Sequence, residues 1–155
     1  LDAAYFCEDL AGKNGPLVSP AIYDKFWAPH QKPILKALKE AGVPVICMWS
    51  AGRYEQLIPT MIEHGFNCTW PIERQPGMNP LKLREEFGQE LRLAGGISLK
   101  ALIDGPEAID SDIAELMPLI KEGGFIPTLD DMVPLECPFS HYRHMIERLQ
   151  AIRFD

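Results

Sequence analysis

The chain predicts an α/β fold, a parallel sheet of about five strands covered by helices. Three features carry this. Short, continuous apolar runs alternate with longer amphipathic stretches, the unit recurring roughly every 25 to 35 residues. The helical stretches open on capping signals, Ser19-Pro20, Asn79-Pro80 and Ser98, and close on glycines, Gly42, Gly65, Gly88 and Gly123-Gly124. The apolar runs lack the polar alternation of a strand with one wet face.

Ala3-Ala4-Tyr5-Phe6-Cys7 is a first buried strand, with Glu8-Asp9 at its C-terminal end, and Gly12 to Pro16 is a loop. A helix runs from Ser19 to about Ala41, and Pro29 and Pro33 must kink it or split it in two. Val43 to Trp49 is the second strand, Tyr54 to His64 a helix, and Asn67 to Trp70 the third strand. Asn79-Pro80 opens another helix, and Leu91 to Ala94 is the fourth strand. Ser98 caps a short helix to Ile103. Pro106 starts a longer one with Ile109, Ile113, Leu116, Leu119 and Ile120 on one face, and Pro118 bends it. Phe125-Ile126-Pro127 is the fifth strand. From Pro138 to Arg153 a last helix points Tyr142, Met145, Ile146, Leu149 and Ile152 inward.

No low-complexity linker interrupts residues 1–155, so a single domain is expected. The composition, 46% hydrophobic and 24% charged, is that of a globular chain with a substantial core. A net charge of −7 disfavours a nucleic-acid-binding face, which needs a basic excess. No apolar run reaches the roughly 18 residues of a membrane helix, and LDAAYFCEDL lacks a basic, signal-like start. The four cysteines form no CxxC pair, and Cys7, Cys47 and Cys68 fall inside apolar strand runs where a thiol packs as a small hydrophobe. A cytoplasmic, disulfide-free protein is the expectation. Neither GxGxxG nor GxxxxGK[ST] occurs, which argues against a dinucleotide site and a P-loop.

Two architectures fit this pattern, an open doubly wound sheet and a barrel. In a barrel, the strand C-termini carry the chemistry. The stretch Gly95 to Pro134 then supplies a floor, at Gly95-Gly96-Ile97-Ser98, and an acidic rim, at Asp130-Asp131. Glu8 and Asp9 sit at another strand end, where they line a site, cap a helix or pair with Lys13. Glu73 and Arg74 follow the third strand, as site residues or as an internal ion pair. Arg53 offers a planar fork for a carboxylate or lies solvated at a helix start. Trp49 stacks on a flat ligand or fills the core. His141 and His144 share the i, i+3 spacing of a metal pair, but a wet helix face explains them more simply. His64 lies near a helix C-terminus, where positive charge is favoured.

Several segments together resemble the uroporphyrinogen decarboxylase superfamily, which includes corrinoid-dependent methyltransferases. They are Glu8 to Pro20 (EDLAGKNGPLVSP), Pro71 to Pro80 (PIERQPGMNP), Gly95-Gly96-Ile97 with Gly105-Pro106-Glu107, and Gly123 to Pro134 (GGFIPTLDDMVP), in the family's order. The resemblance implies a partial TIM (β/α) barrel, whose about five parallel strands correspond to the C-terminal part of a (β/α)8 barrel. The first three strands have no counterpart, leaving two open edges and an uncovered interior. A second copy or a complementing N-terminal barrel half is therefore expected as a partner.

The resemblance matches Glu8, Asp9, Glu73 and Asp130 to acids of the family; with the side-chain readings above, the expected site takes Glu73 and Asp130 as catalytic and Glu8, Asp9, Trp49, Arg53 and Asp131 as substrate contacts. The reactions that the resemblance implies are decarboxylation, which needs no cofactor, and methyl transfer with a corrinoid on a separate protein. The decarboxylase's key acid and arginine come mainly from the missing strands, so decarboxylation by this chain alone is not expected. Zinc-dependent members carry a His-x-Cys pair where Trp49 and Ala51 stand, and a third cysteine near Leu129 or Asp130. No metal is therefore expected here. Asp131 stands where many relatives carry His. These departures leave a second reading, a non-catalytic barrel remnant that binds or assembles.

Overall fold

The computed structural model describes residues 1–154. In chain order the strands are β1 (Ala4–Cys7), β2 (Ala11–Gly12), β3 (Gly15–Pro16), β4 (Ile46–Trp49), β5 (Cys68–Trp70), β6 (Arg92–Ile97) and β7 (Phe125–Leu129). The helices are α1 (Pro20–Phe26), α2 (Ala28–Glu40), α3 (Ile58–His64), α4 (Pro80–Phe87), α5 (Leu99–Asp104), α6 (Pro106–Glu122) and α7 (Phe139–Gln150).

Five strands form one all-parallel sheet in the order β1-β4-β5-β6-β7. Each neighbour in the sheet is the next long strand in the chain, the winding of a barrel wall rather than of a doubly wound sheet. Ile46, Met48, Leu93, Ile97, Phe125 and Leu129 join the core with helix residues such as Leu35, Met61, Leu83, Leu116 and Met145. The alternate strand positions face the other way. There Tyr5 is 53% and Ile126 65% exposed, against 0% for Met48 and 1% for Leu93. The sheet is thus helix-covered outside and bare inside, with β1 and β7 as free edges: the wall of a partial TIM barrel.

The local signals explain most of the boundaries. Ser19 accepts from the Ile22 N–H, Asn79 from Leu81 and Lys82, and Ser98 from Lys100. The helix expected from Ser19 to Ala41 is split in two, but at Trp27 rather than at a proline. Pro29 falls in the first turn of α2, where its missing N–H costs nothing. The loop from Gly12 to Pro16 is a minimal hairpin of β2 and β3. A 3₁₀ turn, Glu55–Leu57, precedes α3. The fourth and fifth strands run further than their apolar runs suggest, through Gly95-Gly96 to Ile97 and on to Leu129. Cys7 corrects the expectation of three packed thiols: it is exposed on the bare face, whereas Cys68 is buried.

Arg84 closes the end of the sheet opposite the strand C-termini. Only 8% exposed, it donates from Nη1 to the Gly88 and Leu91 carbonyls and from Nη2 to those of Gly123 and Gly124. One guanidinium fork thereby ties the approaches to β6 and β7 together.

His64 is a different buried polar group. Its Nε2 lies 2.7 Å from Asp24, its ring stacks on Tyr23, and Nδ1 is buried with no partner. Burial and then Lys32 hold its pKa below the ordinary histidine value, although Asp24 pulls the other way. The positive charge favoured by its place at the end of α3 is therefore opposed by its surroundings. A depressed folded pKa gives stability present above the unfolded value, about 6.5, and lost as pH falls through the folded one. His64→Gln is predicted to flatten the fall in unfolding free energy between about pH 7 and pH 5. Urea titrations of both proteins across that range measure the difference in slope.

Candidate active site

The strand C-termini lie at one end of the sheet, and their loops are stitched to one another by carboxylates. Asp130, 3% exposed at the end of β7, is central. Its Oδ2 accepts from the Arg74 backbone N–H at 3.1 Å, and its Oδ1 from that of Leu99 at 2.9 Å. One side chain thus fixes the loops after β5 and β6. The backbone adds a further link, from Asp130 N–H to the Ile97 carbonyl at 2.9 Å. Asp112, reaching in from α6, accepts from the Ser98 N–H at 2.8 Å and from Arg74 Nη1 at 3.1 Å. Arg74 Nη2 grips Glu115 at 2.7 and 2.9 Å. Arg74 is therefore a brace to α6, not the ion-pair partner of Glu73.

Glu73 makes the next link. Its Oε1 accepts from the Gly52 N–H at 2.7 Å, joining the loop after β5 to the loop after β4. Gly52 has φ +80°, and a Cβ there would meet the Gly12 and Ala11 carbonyl oxygens at 2.7 and 2.8 Å. That close approach lets Arg53 N–H bond Gly12 O at 2.9 Å, while Ser50 Oγ accepts from Leu10 N–H at 3.1 Å. The β2–β3 hairpin is thereby laid against the mouth. Buried Tyr54 steadies the floor, donating to the Pro71 carbonyl at 2.7 Å and accepting from Thr69 Oγ1 at 2.8 Å.

These links enclose a cavity of about 220 Å³ lined by Lys13, Glu73, Gln75, Leu99, Asp130 and Asp131. Burial pushes the Asp130 carboxyl up, the two backbone donors oppose this, and Glu73 and Asp131 push it up again. The cavity therefore combines a carboxyl biased toward holding a proton, a second carboxylate with Oε2 outside the stitching, and a lysine.

Of the predicted site residues, Glu73, Asp130 and Asp131 come together here. Asp131 is exposed and caps its own turn, accepting from Met132 N–H at 2.7 Å. Glu8 lines a different hollow of about 240 Å³ with Phe26, Trp27, His30 and Gln31. Asp9 is exposed beside it in the chain. Arg53 is exposed and pairs with Glu55 at 3.0 Å. Trp49 sits half-buried on the bare inner face, edge-on to Trp70 with centroids 6.5 Å apart. His141 and His144 do not converge: one bonds the Leu102 carbonyl at 2.9 Å and the other Asp110 at 3.0 Å. Both are half-buried against α5 and α6 rather than on a wet face.

The donor set does not suit zinc. An indole at Trp49, a methyl at Ala51 and an isobutyl at Leu129 offer no ligand. Both oxygens of Asp130 already serve backbone N–H groups. Lys13, Gln75 and Leu99 went unpredicted as lining residues. The usable signal for Lys13 was its place between Gly12 and Gly15, in a hairpin short enough to fold over the mouth.

The profile of the family described as uroporphyrinogen decarboxylase (URO-D) matches residues 3–152. No curated protein matches the sequence. Among solved structures, a methyltransferase from Methanosarcina mazei is similar in fold, with a TM-score of 0.67 at 18% identity. The match covers 97% of this chain and 43% of that one, so this chain spans less than half the length of that structure.

If Asp130 holds the mouth together, Asp130→Ala leaves two part-buried backbone N–H groups without acceptors. A loss of about 2–3 kcal/mol in urea unfolding is predicted, against less than about 0.5 kcal/mol for exposed Asp131→Ala.

Proposed function

Because the chain belongs to the uroporphyrinogen decarboxylase family, we propose that it forms the C-terminal wall and acidic mouth of a barrel enzyme acting by methyl transfer or decarboxylation. The observation that carries this reading is the placing of Glu73 beside the double-clamped Asp130 in one strand-end cavity. A carboxyl with both oxygens fixed is preorganised, so it positions a proton without first reorganising.

In this reading Asp130 is the proton-holding group and Glu73 the carboxylate facing substrate, anchored through Oε1 alone. Lys13 supplies a countercharge for an anionic substrate group. Trp49 and Trp70 offer an aromatic wall on the inner face. Of the two reactions, methyl transfer suits these residues better, with the methyl group supplied by a corrinoid on a partner protein. Decarboxylation draws on an acid and an arginine that the resemblance assigns to strands outside this chain. In either case the free edges of β1 and β7 call for a second copy or an N-terminal barrel half to close the wall. A cytoplasmic location is part of the same proposal.

Trp49 and Ala51 favour a second reading, because they replace the residues that activate a thiol in related methyltransferases. A remnant without that chemistry would act as a binding or assembly module.

Methylcobalamin and a small thiol serve as probes of the first reading. Demethylation by the purified chain, followed by absorbance, is expected to fall at least tenfold in Glu73→Gln. No demethylation by the wild type, together with stable self-association in sedimentation, would instead support the assembly module.

A further inference from the structure

The bare inner face carries a row of side chains that the proposed chemistry leaves unused. Register pairs Tyr5 with Cys47, Cys47 with Cys68, and Cys68 with Arg92. The four residues therefore form one line across β1, β4, β5 and β6, on the face opposite the helices. Trp49 and Trp70 are the next paired residues toward the mouth on that face. All four cysteines of the chain are free thiols, with Cys47 half-buried and Cys68 7% exposed.

Directly paired residues on neighbouring strands lie about 4.8 Å apart, inside the Cα range a disulfide accepts, about 4.4–6.8 Å. The other thiols do not compete. Cys7 pairs with Trp49, so it sits one strand over and two residues along from Cys47. That diagonal is about 8 Å from the strand spacing and rise, beyond the bridging limit of about 7 Å. Cys137 lies in the loop before α7, outside the sheet.

The surroundings divide the pair's roles. Cys68 is flanked by Cys47 on one side and Arg92 on the other, and among the described residues no carboxylate lies within ion-pair distance of Arg92. The Cys47 thiol, then Arg92 and the Thr69 backbone N–H, hold the Cys68 thiol below its ordinary value against the opposing effect of burial. The Cys47 Sγ donates to the Met48 carbonyl at 3.7 Å, and the neighbouring Cys68 thiol and burial push Cys47 the other way. Arg92 beside it thus makes Cys68 the better-placed nucleophile of the pair.

We propose that Cys47 and Cys68 are a redox-active dithiol that a small peroxide closes into a disulfide across β4 and β5. The Cys68 thiolate attacks a peroxide oxygen. The O–O bond breaks, hydroxide leaves, and Cys68 becomes a sulfenic acid. The Cys47 sulfur then displaces the sulfenic oxygen. An S–S bond forms, the S–O bond breaks, and water departs with the Cys47 proton. Two electrons pass from the two thiols to one peroxide. A peroxide suits the 7% exposure of Cys68, which leaves little room for a bulkier oxidant. The product staples β4 to β5 beneath the tryptophan pair, and a dithiol reductant reverses it.

The test treats the 155-residue chain with a small molar excess of hydrogen peroxide, followed by intact mass and non-reducing peptide mapping. The expected product is 2 Da lighter, with a Cys47–Cys68 cross-linked peptide that a dithiol reductant removes. Cys47→Ser is expected to stop at a sulfenic acid on Cys68, read as a 16 Da gain on the Cys68 peptide, while a Cys7→Ser, Cys137→Ser double variant still loses 2 Da. Oxidation confined to Cys7 or Cys137, or a wild-type map lacking the Cys47–Cys68 peptide, overturns the proposal. The wild-type map decides the matter even if a serine variant fails to fold.

Discussion

The carboxylate of Asp130 is the constraint from which the mouth follows. Three strand-end loops must end at defined heights for a cavity to exist between them, and loops do not order themselves. Asp130 solves this at little cost in chain length. It stands on the rigid end of β7 and presents two acceptors to donors on two other loops. Glu73 extends the same device to the loop after β4. The acidic rim is therefore partly structural. Its carboxylates shape the hollow that they also line, and the carboxyl most tightly held is the one that burial biases toward its protonated form.

The two ends of the sheet divide the work. At the mouth, carboxylates accept backbone N–H groups and braces run from Arg74 to α6. At the opposite end, Arg84 donates to four backbone carbonyls and touches no part of the cavity. Barrel enzymes set loops at one end of the sheet and bracing at the other, and this wall of five strands has the same arrangement. The inner face of this wall is bare. It exposes Tyr5, Cys7 and Ile126, which a closed barrel would enclose.

Much of this was legible in the sequence. Continuous apolar runs and capping residues located the five sheet strands and the helical stretches between them, which are fixed by local signals, but not the break between α1 and α2 at Trp27. The family likeness supplied the barrel and the incomplete wall. Glu73, Asp130 and Asp131 were singled out because each lies within a few residues of a strand end, and the fold brings the three to one cavity. Glu8, Asp9 and Arg53 were grouped with them on the same logic, but the fold sends Glu8 to a separate hollow and Arg53 to Glu55. Position along a strand fixes height, not the direction in which a loop leaves it. The strand through Gly95-Gly96 was cut short for a related reason. Glycines read as a turn locally, whereas here a Cβ on Gly95 would lie 2.6 Å from Ile72 N, a tertiary contact with no local trace. The roles of Arg74 and Asp112 were illegible too, since they join residues 38 apart.

The central claim, that one carboxylate couples the loops after β5 and β6, is tested most directly by a nuclear magnetic resonance pH titration. The Arg74 and Leu99 backbone amides and the Asp130 carboxyl carbon would be followed together. The account predicts one shared midpoint, displaced above the ordinary aspartate value. Amides that shift with different midpoints, or that ignore the titration of Asp130, would contradict it.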